Sequence, residues 1–298
     1  MKNFLKNIIS IPTINLVIVK IIKVTNGLFS PTLRLKLPLN TIFEHKFNNS
    51  KTAKFLATPT DRIARNLYWN NFSFEPSTQP VFEKLITIVT TFLDVGANIG
   101  YYSIKGKIFN PDLDVYSFEI LDFNASILNK NIELNKLNIS VQPVAVSNTN
   151  NTIKINVAPE DTVDVGYSVT DSKNLEGYNT ISKKSITLDR FAEIKNIEHE
   201  EILIKMDIEG HEPAALEGAK NLLKNNQPYL IIEIVRKSTV KKINEIFKNL
   251  DYNYYWISKG NLIEQDKIRV LDQRPNHSNN YLLSPVSKTN KLKKLNLL

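Results

Sequence analysis

The sequence feature that most constrains the fold is FLDVGANIGYYSI, residues 92–104, where an apolar run breaks into two glycines four residues apart. The apolar run is typical of the end of a buried strand, and Ile99 and Ile104 are placed to face inward from the helix that follows. Gly96 and Gly100 allow a tight turn and a close approach to a ligand or to a neighbouring element. Strand, glycine turn and helix start together predict a nucleotide-type binding loop, because a helix N-terminus offers unpaired N–H groups.

The spacing of this loop argues against a dinucleotide. The dinucleotide fingerprint G-x-G-x-x-G uses its middle glycine to clear room for a pyrophosphate, and Asn98 occupies that place here. An acid, Asp94, stands two residues before the first glycine. A cofactor with no phosphate but with an amino group and a carboxylate fits these residues better, and S-adenosylmethionine is the leading candidate.

The segments after the loop alternate between strand and helix patterns. Long apolar strands in repeated β-α units predict an α/β fold with a mostly parallel sheet covered by helices on both faces, followed by a short antiparallel finish. The predicted strands are DVYSFE, SVQPVAVS, TIKINVAP, SITLDRF, EILIKMDIEG, PYLIIEI, YNYYWIS, NLIEQD and NYLLSP, and the helical faces are Ala125/Leu128/Ile132, Leu216/Ala219/Leu223 and Val240/Ile243/Phe247/Leu250.

Ligands of open α/β sheets bind beyond the carboxyl ends of the strands, so the residues at those ends are the candidate site. Glu119 ends the second strand and is placed to accept hydrogen bonds from both ribose hydroxyls of a nucleoside. Ala145 lies in an apolar segment suited to the flat edge of adenine. The hexapeptide DIEGHE, residues 207–212, ends a later strand. Each of these residues alone has a structural explanation, and their convergence in order along the chain supports a binding site.

The quoted segments FLDVGANIGYYSI, FEIL, VAVSN, SITLDRF and IKMDIEGHEPAALEGAKNLL resemble the FkbM-type family of S-adenosylmethionine-dependent methyltransferases, from roughly Asp61 to Pro285. The resemblance implies a class I methyltransferase fold, with seven strands in the order 3-2-1-4-5-7-6 and the last strand antiparallel. It also implies transfer to a hydroxyl oxygen, commonly on sugars or polyketide-like metabolites, with some members methylating nitrogen. The residues assigned to the cofactor are Asp94, Gly96, Ala97, Asn98, Gly100, Glu119, Ala145 and Asp207, and those of the family signature are Asp207, Glu209, Gly210 and Glu212.

Catalysis of hydroxyl methylation calls for a proton acceptor, which adds roughly 10²–10⁴ in rate. Asp207 and His211 are the candidate bases, with Glu209 between them as a third catalytic candidate. His211 has the better ordinary pKa, and Asp207 has the better place at the strand end. The same carboxylates could instead hold a divalent metal such as Mg²⁺, which is not favoured because two acids flanking one position fall short of a full site.

Composition narrows the alternatives. The chain has no cysteine, which excludes disulfides, thiolate catalysis and sulfur-ligated zinc, and its four histidines are too scattered for a helical metal motif. A nucleic-acid methyltransferase is disfavoured because residues 61–287 carry 25 basic and 29 acidic side chains, a net −4, and contain no D/N-P-P-Y/F motif. A dehydrogenase is disfavoured by Asn98. A non-catalytic cofactor-binding module remains a third alternative, although such a copy would be expected to lose the acids of residues 207–212.

The excess of positive charge lies at the two ends. Residues 1–60 carry nine Lys or Arg and one acid, a net +8, and the tail from Val286 carries four lysines. We therefore expect a basic, partly apolar extension at 1–60, a methyltransferase domain at 61–287 and a lysine-rich tail at 288–298. Residues 1–30 are interpreted either as a helix packed on the domain or as an interfacial helix at an anionic membrane, in a cytoplasmic protein. The irregular segment from about Asp61 to Phe82 is expected to cover one side of the domain and is called the cover here. We expect a small-molecule or glycan acceptor, bound under residues 160–184 and the cover, and no nucleic-acid partner.

Overall fold

The computed structural model describes residues 17–18, 21–22, 39–47, 51–59, 61–70, 74–157, 167–168, 179–197, 200–271 and 278–298. Its strands are β1 (Thr41–Lys46), β2 (Thr52–Ala57), β3 (Thr91–Val95), β4 (Asp114–Phe118), β5 (Ser140–Gln142), β6 (Ala145–Val146), β7 (Thr152–Val157), β8 (Tyr167–Ser168), β9 (Asn179–Ile186), β10 (Ile202–Met206), β11 (Tyr229–Glu233), β12 (Tyr252–Ser258), β13 (Asn261–Gln265) and β14 (Asn280–Pro285). Its helices are α1 (Arg62–Asn70), α2 (Gln79–Leu85), α3 (Tyr101–Phe109), α4 (Asp122–Asn135), α5 (Leu188–Lys195), α6 (Glu212–Glu217), α7 (Lys220–Asn225), α8 (Lys237–Phe247) and α9 (Thr289–Lys294).

The main sheet has eight strands in the order β13-β12-β14-β11-β10-β3-β4-β5. The strands β5, β4, β3, β10 and β11 run parallel, and β14 runs antiparallel to both β11 and β12. Apart from β13, this is the order 3-2-1-4-5-7-6 with the seventh strand antiparallel. The expected class I methyltransferase fold is confirmed, and the eighth strand is an addition at the edge, formed by a hairpin with β12.

The two central strands of the main sheet, β3 and β10, are almost inaccessible to solvent. Every residue of β3 and of β10 is buried, because helices and their apolar clusters cover both faces. Two ionisable side chains are buried at this centre. Asp94 and Lys205 lie opposite each other in the β3–β10 register, and the Lys205 charge lowers the pKa of Asp94 against the effect of burial.

Two predicted strands differ from the structure. SVQPVAVS is not one strand: β5 joins the main sheet, whereas β6 pairs with β9 in a second sheet. Pro143 lies between them, and it has no N–H to continue the ladder. SITLDRF is a strand only as far as Ile186, because the Thr187 hydroxyl accepts the N–H of Arg190 at 3.1 Å and begins α5 as its N-cap.

The hairpin of β1 and β2, which lies within residues 1–60, packs on the methyltransferase core. Its Phe47 and Phe55 are buried in the same cluster as α3 and α4. The free edge of β2 is held by helix α4, where the Asn131 side chain accepts the Leu56 N–H at 2.7 Å and Asn135 accepts the Lys54 N–H at 2.8 Å. Side-chain amides thus replace a third strand at this edge.

The lysine-rich end of the chain also packs on the core. Lys288 and Lys291 both pair with Glu201, the first at 3.0 Å, and Leu292 of α9 is fully buried. These two lysines therefore form ion pairs with an acidic residue of the protein itself. Most of the apolar N-terminal run, most of residues 160–184 and Phe72 lie outside the described residues. Within the described part of the chain no helix is both long and apolar enough to cross a membrane.

Candidate active site

Neighbouring elements leave no room for a side chain at either glycine of the binding loop. Gly96 has a φ of 88°, and a Cβ there would lie 2.0 Å from the carbonyl oxygen of Asp207 at the end of β10. Gly100 has the same φ at the start of α3, and its Cβ would lie 2.2 Å from a methyl group of Leu128 in α4. The loop is held against the next strand as well, because the N–H groups of Gly96 and Ala97 both donate to the Phe118 carbonyl.

Glu119 is held rigidly at the end of β4. Its two carboxylate oxygens accept the N–H groups of Asn98 and Leu121, each at 2.8 Å, and the residue is only 1% exposed. Burial raises the pKa of Glu119 to about 7, although both N–H groups favour the ionised form. The Asn124 side chain also hydrogen-bonds this carboxylate. Each carboxylate oxygen has two lone pairs, so Glu119 retains capacity to accept a hydrogen bond from a ligand.

Asp94, at the end of β3, is buried beneath the loop. One oxygen accepts the hydroxyl of Ser103 at 2.5 Å, and that hydroxyl contacts Ser117 at 2.7 Å. Burial raises the pKa of Asp94 to about 6, and the Lys205 ammonium opposes the shift. Asp94 therefore belongs to the floor of the site.

The hexapeptide DIEGHE divides its side chains among three places. Asp207 and Glu209 line the cleft beside the glycine loop. Glu212 turns back, and its carboxylate accepts the N–H groups of Gly210 and Ile208 at 3.0 and 3.3 Å, so it holds the turn that carries Asp207. Burial raises the pKa of Glu212. His211 lies on the other side of the loop, where its Nε2 is 2.9 Å from the Ser147 hydroxyl.

Two depressions adjoin the loop and share Gly96 as a wall. The larger, about 560 Å³, is called the charged cleft here and is lined by Ile63, Phe74, Glu75, Asp94, Gly96, Ala97, Asn98, Tyr101, Tyr102, Glu119, Lys205, Asp207 and Glu209. The smaller, about 280 Å³, is called the apolar slot and is lined by Val95, Gly96, Phe118, Ile120, Val144, Ala145, Val146, Ile208 and His211.

The structure therefore brings most of the sequence-predicted site residues together in the charged cleft, and it separates the two candidate bases. Asp207 lies in that cleft, whereas His211 lines the apolar slot with Ala145. Gly100 lines neither depression, since its place is set by packing on α4. Its contribution is to let α3 begin where it does.

Sequence reasoning missed three ionisable residues of this site. Lys205 is buried, with its Nζ 3.6 Å from Asp207 Oδ2 and 3.9 Å from Glu75 Oε1. Glu233 ends β11 beside Asp207, and burial together with the Asp207 carboxylate raises its pKa to about 9. A lysine inside the apolar run ILIKM and an acid at a strand end were available signals for Lys205 and Glu233. Glu75 lies in the irregular cover and has no such signal.

A model of one protein family matches more than half of the chain. It is the methyltransferase FkbM domain, over residues 94–254 of 298, which include the glycine loop, Glu119 and the hexapeptide. The chain belongs to the FkbM-type methyltransferase family. Its members are the S-adenosylmethionine-dependent enzymes that the motifs of this chain resemble, and the strand order of the main sheet agrees with that class.

Solved structures similar to this FkbM chain include other methyltransferases, at low identity. They include methyltransferase FkbM from Methylobacillus flagellatus KT (20% identity, 65% of this chain and 43% of that chain, TM-score 0.40). They also include the Pyrococcus abyssi tRNA (uracil-54, C5)-methyltransferase in complex with S-adenosyl-L-homocysteine (12% identity, 83% of this chain and 43% of that chain, TM-score 0.39). A third is an S-adenosylmethionine-dependent methyltransferase from Agrobacterium tumefaciens (11% identity, 83% of this chain and 71% of that chain, TM-score 0.44). The match spans less than half the length of the first two. No curated protein matches the chain.

The residues of the FkbM chain fit S-adenosylmethionine. Glu119 offers lone pairs to vicinal hydroxyls, and the buried hydroxyl of Tyr101 in the charged cleft has no hydrogen-bond partner among the described residues. The apolar slot is free of buried charge, as the face of an adenine ring requires. Within the described residues no group of three or more His, Asp or Glu is arranged to hold a metal ion.

Proposed function

We propose that the charged cleft and the apolar slot together bind S-adenosylmethionine and that the protein methylates a hydroxyl oxygen of a sugar, glycan or secondary metabolite. The observation that carries the proposal is the position of Glu119 and Asp207 at the carboxyl ends of β4 and β10, on either side of Gly96. When bound, the cofactor supplies a methyl group that its sulfonium already activates for displacement.

Binding is divided between the two depressions. Glu119 accepts the ribose hydroxyls, and the backbone N–H groups that hold its carboxylate keep both oxygens in place before the ligand arrives. Ala145 and the other apolar side chains of the slot would hold the adenine ring, with His211 at its edge. The cleft side then receives the amino-acid end of the cofactor, because the ionisable groups are there.

Asp207 takes the proton of the acceptor hydroxyl in this proposal. It lies at the rim of the cleft with its side chain 29% exposed, whereas Asp94 and Glu119 are buried below it. The acceptor can therefore reach Asp207 but not the other two carboxylates. The neighbouring Glu233 holds a proton at neutral pH because burial and the Asp207 charge raise its pKa to about 9. A protonated Glu233 donates to Asp207 and keeps that carboxylate oriented.

The acceptor approaches over the cover formed by α1 and the residues before α2. Ile63, Phe74 and Tyr101 give this side of the cleft an apolar wall, and Glu75 gives it a carboxylate. A polyhydroxyl compound suits such a mixture, because its hydroxyls can donate to carboxylates while its ring faces pack on aromatic side chains. Positioning of this kind supplies up to about 7–11 kcal/mol of the barrier reduction.

The test is a screen of hydroxylated acceptors with isotope-labelled S-adenosylmethionine, comparing the wild type with Asp207→Asn. We expect methyl transfer by the wild type and a loss of at least about a hundredfold in turnover in the variant, with cofactor affinity changed by no more than a few-fold. A matched control is Glu217→Gln, an acid of the following helix that lines neither depression. Full activity of Asp207→Asn would remove Asp207 from proton transfer, and activity that survives EDTA would exclude a metal-held acceptor.

A further inference from the structure

The buried ammonium of Lys205 has charge around it but no hydrogen bond. Its nearest carboxylates are 3.6 Å away on Asp207 and 3.9 Å away on Glu75, beyond hydrogen-bond reach, and in the described part of the chain its three N–H donors make no hydrogen bond. The face of the Tyr102 ring lies 4.6 Å from Nζ. A buried ammonium with unfilled donors is costly, so this group is prepared for an oxygen that the chain itself does not supply.

The position of Lys205 in the cleft determines which part of a bound ligand it can contact. Lys205 lies in β10, and Asp207 follows two residues later, just beyond the strand, where its N–H still donates to the Val95 carbonyl of β3. Both side chains therefore leave the same face, and Lys205 is the deeper of the two. It lies opposite Asp94 in the register with β3, directly under the glycine loop. Glu119 lies at the far side of the cleft, at the end of β4. A nucleoside held by Glu119 therefore extends its other end toward Lys205.

The charges around Lys205 match an amino acid. Asp94, Glu75 and Asp207 surround it. Burial alone would lower the pKa of Lys205, but these three carboxylates outweigh burial and raise that pKa, so the ammonium stays charged. One cation among several carboxylates complements a zwitterion, whose carboxylate needs a cation and whose ammonium needs an anion. The glycine loop and Glu119 alone would accept any nucleoside, and Lys205 would add selection for the amino-acid end.

We propose that Lys205 is a cofactor-specificity residue that binds the carboxylate of the methionine moiety, while the Glu75 carboxylate beside it binds the ammonium. This inference rests on the proposed use of S-adenosylmethionine. It makes Lys205 the group that separates S-adenosylmethionine and its product from nucleosides of the same shape that lack a carboxylate. Glu75 is held by Tyr102, whose hydroxyl donates to Glu75 Oε2 at 2.6 Å, and its Oε1 lies 3.9 Å from the Lys205 ammonium.

The test uses two ligands that differ only in the carboxylate: S-adenosylhomocysteine and its decarboxylated analogue, which keeps the thioether and the ammonium. Calorimetric titration of the wild type should show roughly a tenfold to hundredfold preference for S-adenosylhomocysteine. Lys205→Met should bind both ligands about equally, and Lys205→Arg should keep a preference because it keeps the charge. The preference is a ratio within one variant, so a partial loss of folded protein cancels from it.

Two outcomes would decide against Lys205. A wild type that binds S-adenosylhomocysteine without preferring it over the decarboxylated analogue would overturn the inference while leaving the proposed function intact. A Lys205→Met variant that keeps the full preference would do the same. If Lys205→Met does not fold, Lys205→Gln replaces it with the same expectation, since Gln is uncharged but retains a donor. A wild type that binds neither ligand would instead count against the proposed function, so the two failures are distinguishable.

Discussion

The charged cleft and the apolar slot share Gly96 as a wall, yet different kinds of side chain line them. The cleft is made of ionisable side chains on separate elements, and burial shifts the pKa of Asp94, Glu119 and Glu233 upward. The slot is made of apolar side chains from the ends of β3 and β4, from β6 and from the turn after β10, with His211 as its polar rim. The difference indicates that the slot contributes shape and the cleft contributes charge. Removing the shared wall should damage both, and changes within one depression should leave the other intact.

The largest effect is expected at the shared wall. Gly96→Ala would place a Cβ 2.0 Å from the Asp207 carbonyl oxygen at a backbone φ of 88°, so we expect destabilisation of more than about 3 kcal/mol and loss of both depressions. Gly106→Ala is the matched control, because it lies inside α3 and its Cβ would meet only ordinary contacts at 3.4–3.5 Å. It should stabilise the protein by about 0.5–1 kcal/mol.

Chemical denaturation of the two glycine variants and the wild type measures the difference. Equal stability of Gly96→Ala and wild type would mean that the loop can separate from β10 without cost, and the two depressions would then not depend on a common wall.

The next effect concerns the buried charge of the cleft and its dependence on pH. The folded-state pKa of Glu119, about 7, is raised above its ordinary value of 4.5. A raised pKa means that the contribution of Glu119 to stability is complete below pH 4.5 and is lost as pH rises toward and through 7. The free energy of unfolding of the wild type should therefore fall by up to about 3 kcal/mol over this window relative to Glu119→Gln.

Urea denaturation from pH 4.5 to 8 checks this dependence. Since Asp94 and Glu233 titrate in both proteins, only the difference between the two curves reports on Glu119. Parallel curves would contradict the raised pKa and would place Glu119 in better contact with solvent than its 1% exposure indicates.

A smaller effect is expected when Glu119 is removed altogether. Glu119→Ala should weaken S-adenosylmethionine binding by about 1.5–3 kcal/mol, the range for hydrogen bonds to a charged group. Titration calorimetry measures this change, with circular dichroism as the check on folding. Glu245→Ala, an exposed acid of α8, is the control and should bind like the wild type. Unchanged affinity in Glu119→Ala would refute the ribose assignment.

The smallest effect is expected on the side of the slot. His211→Ala should change cofactor affinity by a few-fold and leave turnover at saturating cofactor within a few-fold, because the His211 ring contacts Ser147 and lies away from Asp207 in the structure. Ser147→Ala removes the same contact and should behave alike. A loss of a hundredfold or more in turnover, together with loss of a titration near neutral pH, would restore His211 as the base.

The parts of the site that sequence reasoning predicted are those built from consecutive residues. The glycine loop, Glu119 and the acids of residues 207–212 each follow an apolar strand directly, so the strand-end rule locates them. Lys205 was missed because its run, ILIKM, is apolar enough to be taken as a strand without function. Glu75 was beyond prediction, since it reaches the site from the cover and meets Tyr102 and Lys205 only in the folded chain.

The sequence by itself determined the fold class and the location of the binding loop, because these depend on local patterns of apolar residues and glycine. The strand order was an implication of the family resemblance. Only the tertiary structure decided which side chains of DIEGHE enter the cleft, that Pro143 divides one predicted strand between two sheets and that Lys205 lies among carboxylates. The direction of a side chain after a turn depends on positive φ angles at Glu209 and Gly210, and the charge around Lys205 depends on strands that are distant in sequence. Both are properties of packing, which no local pattern contains.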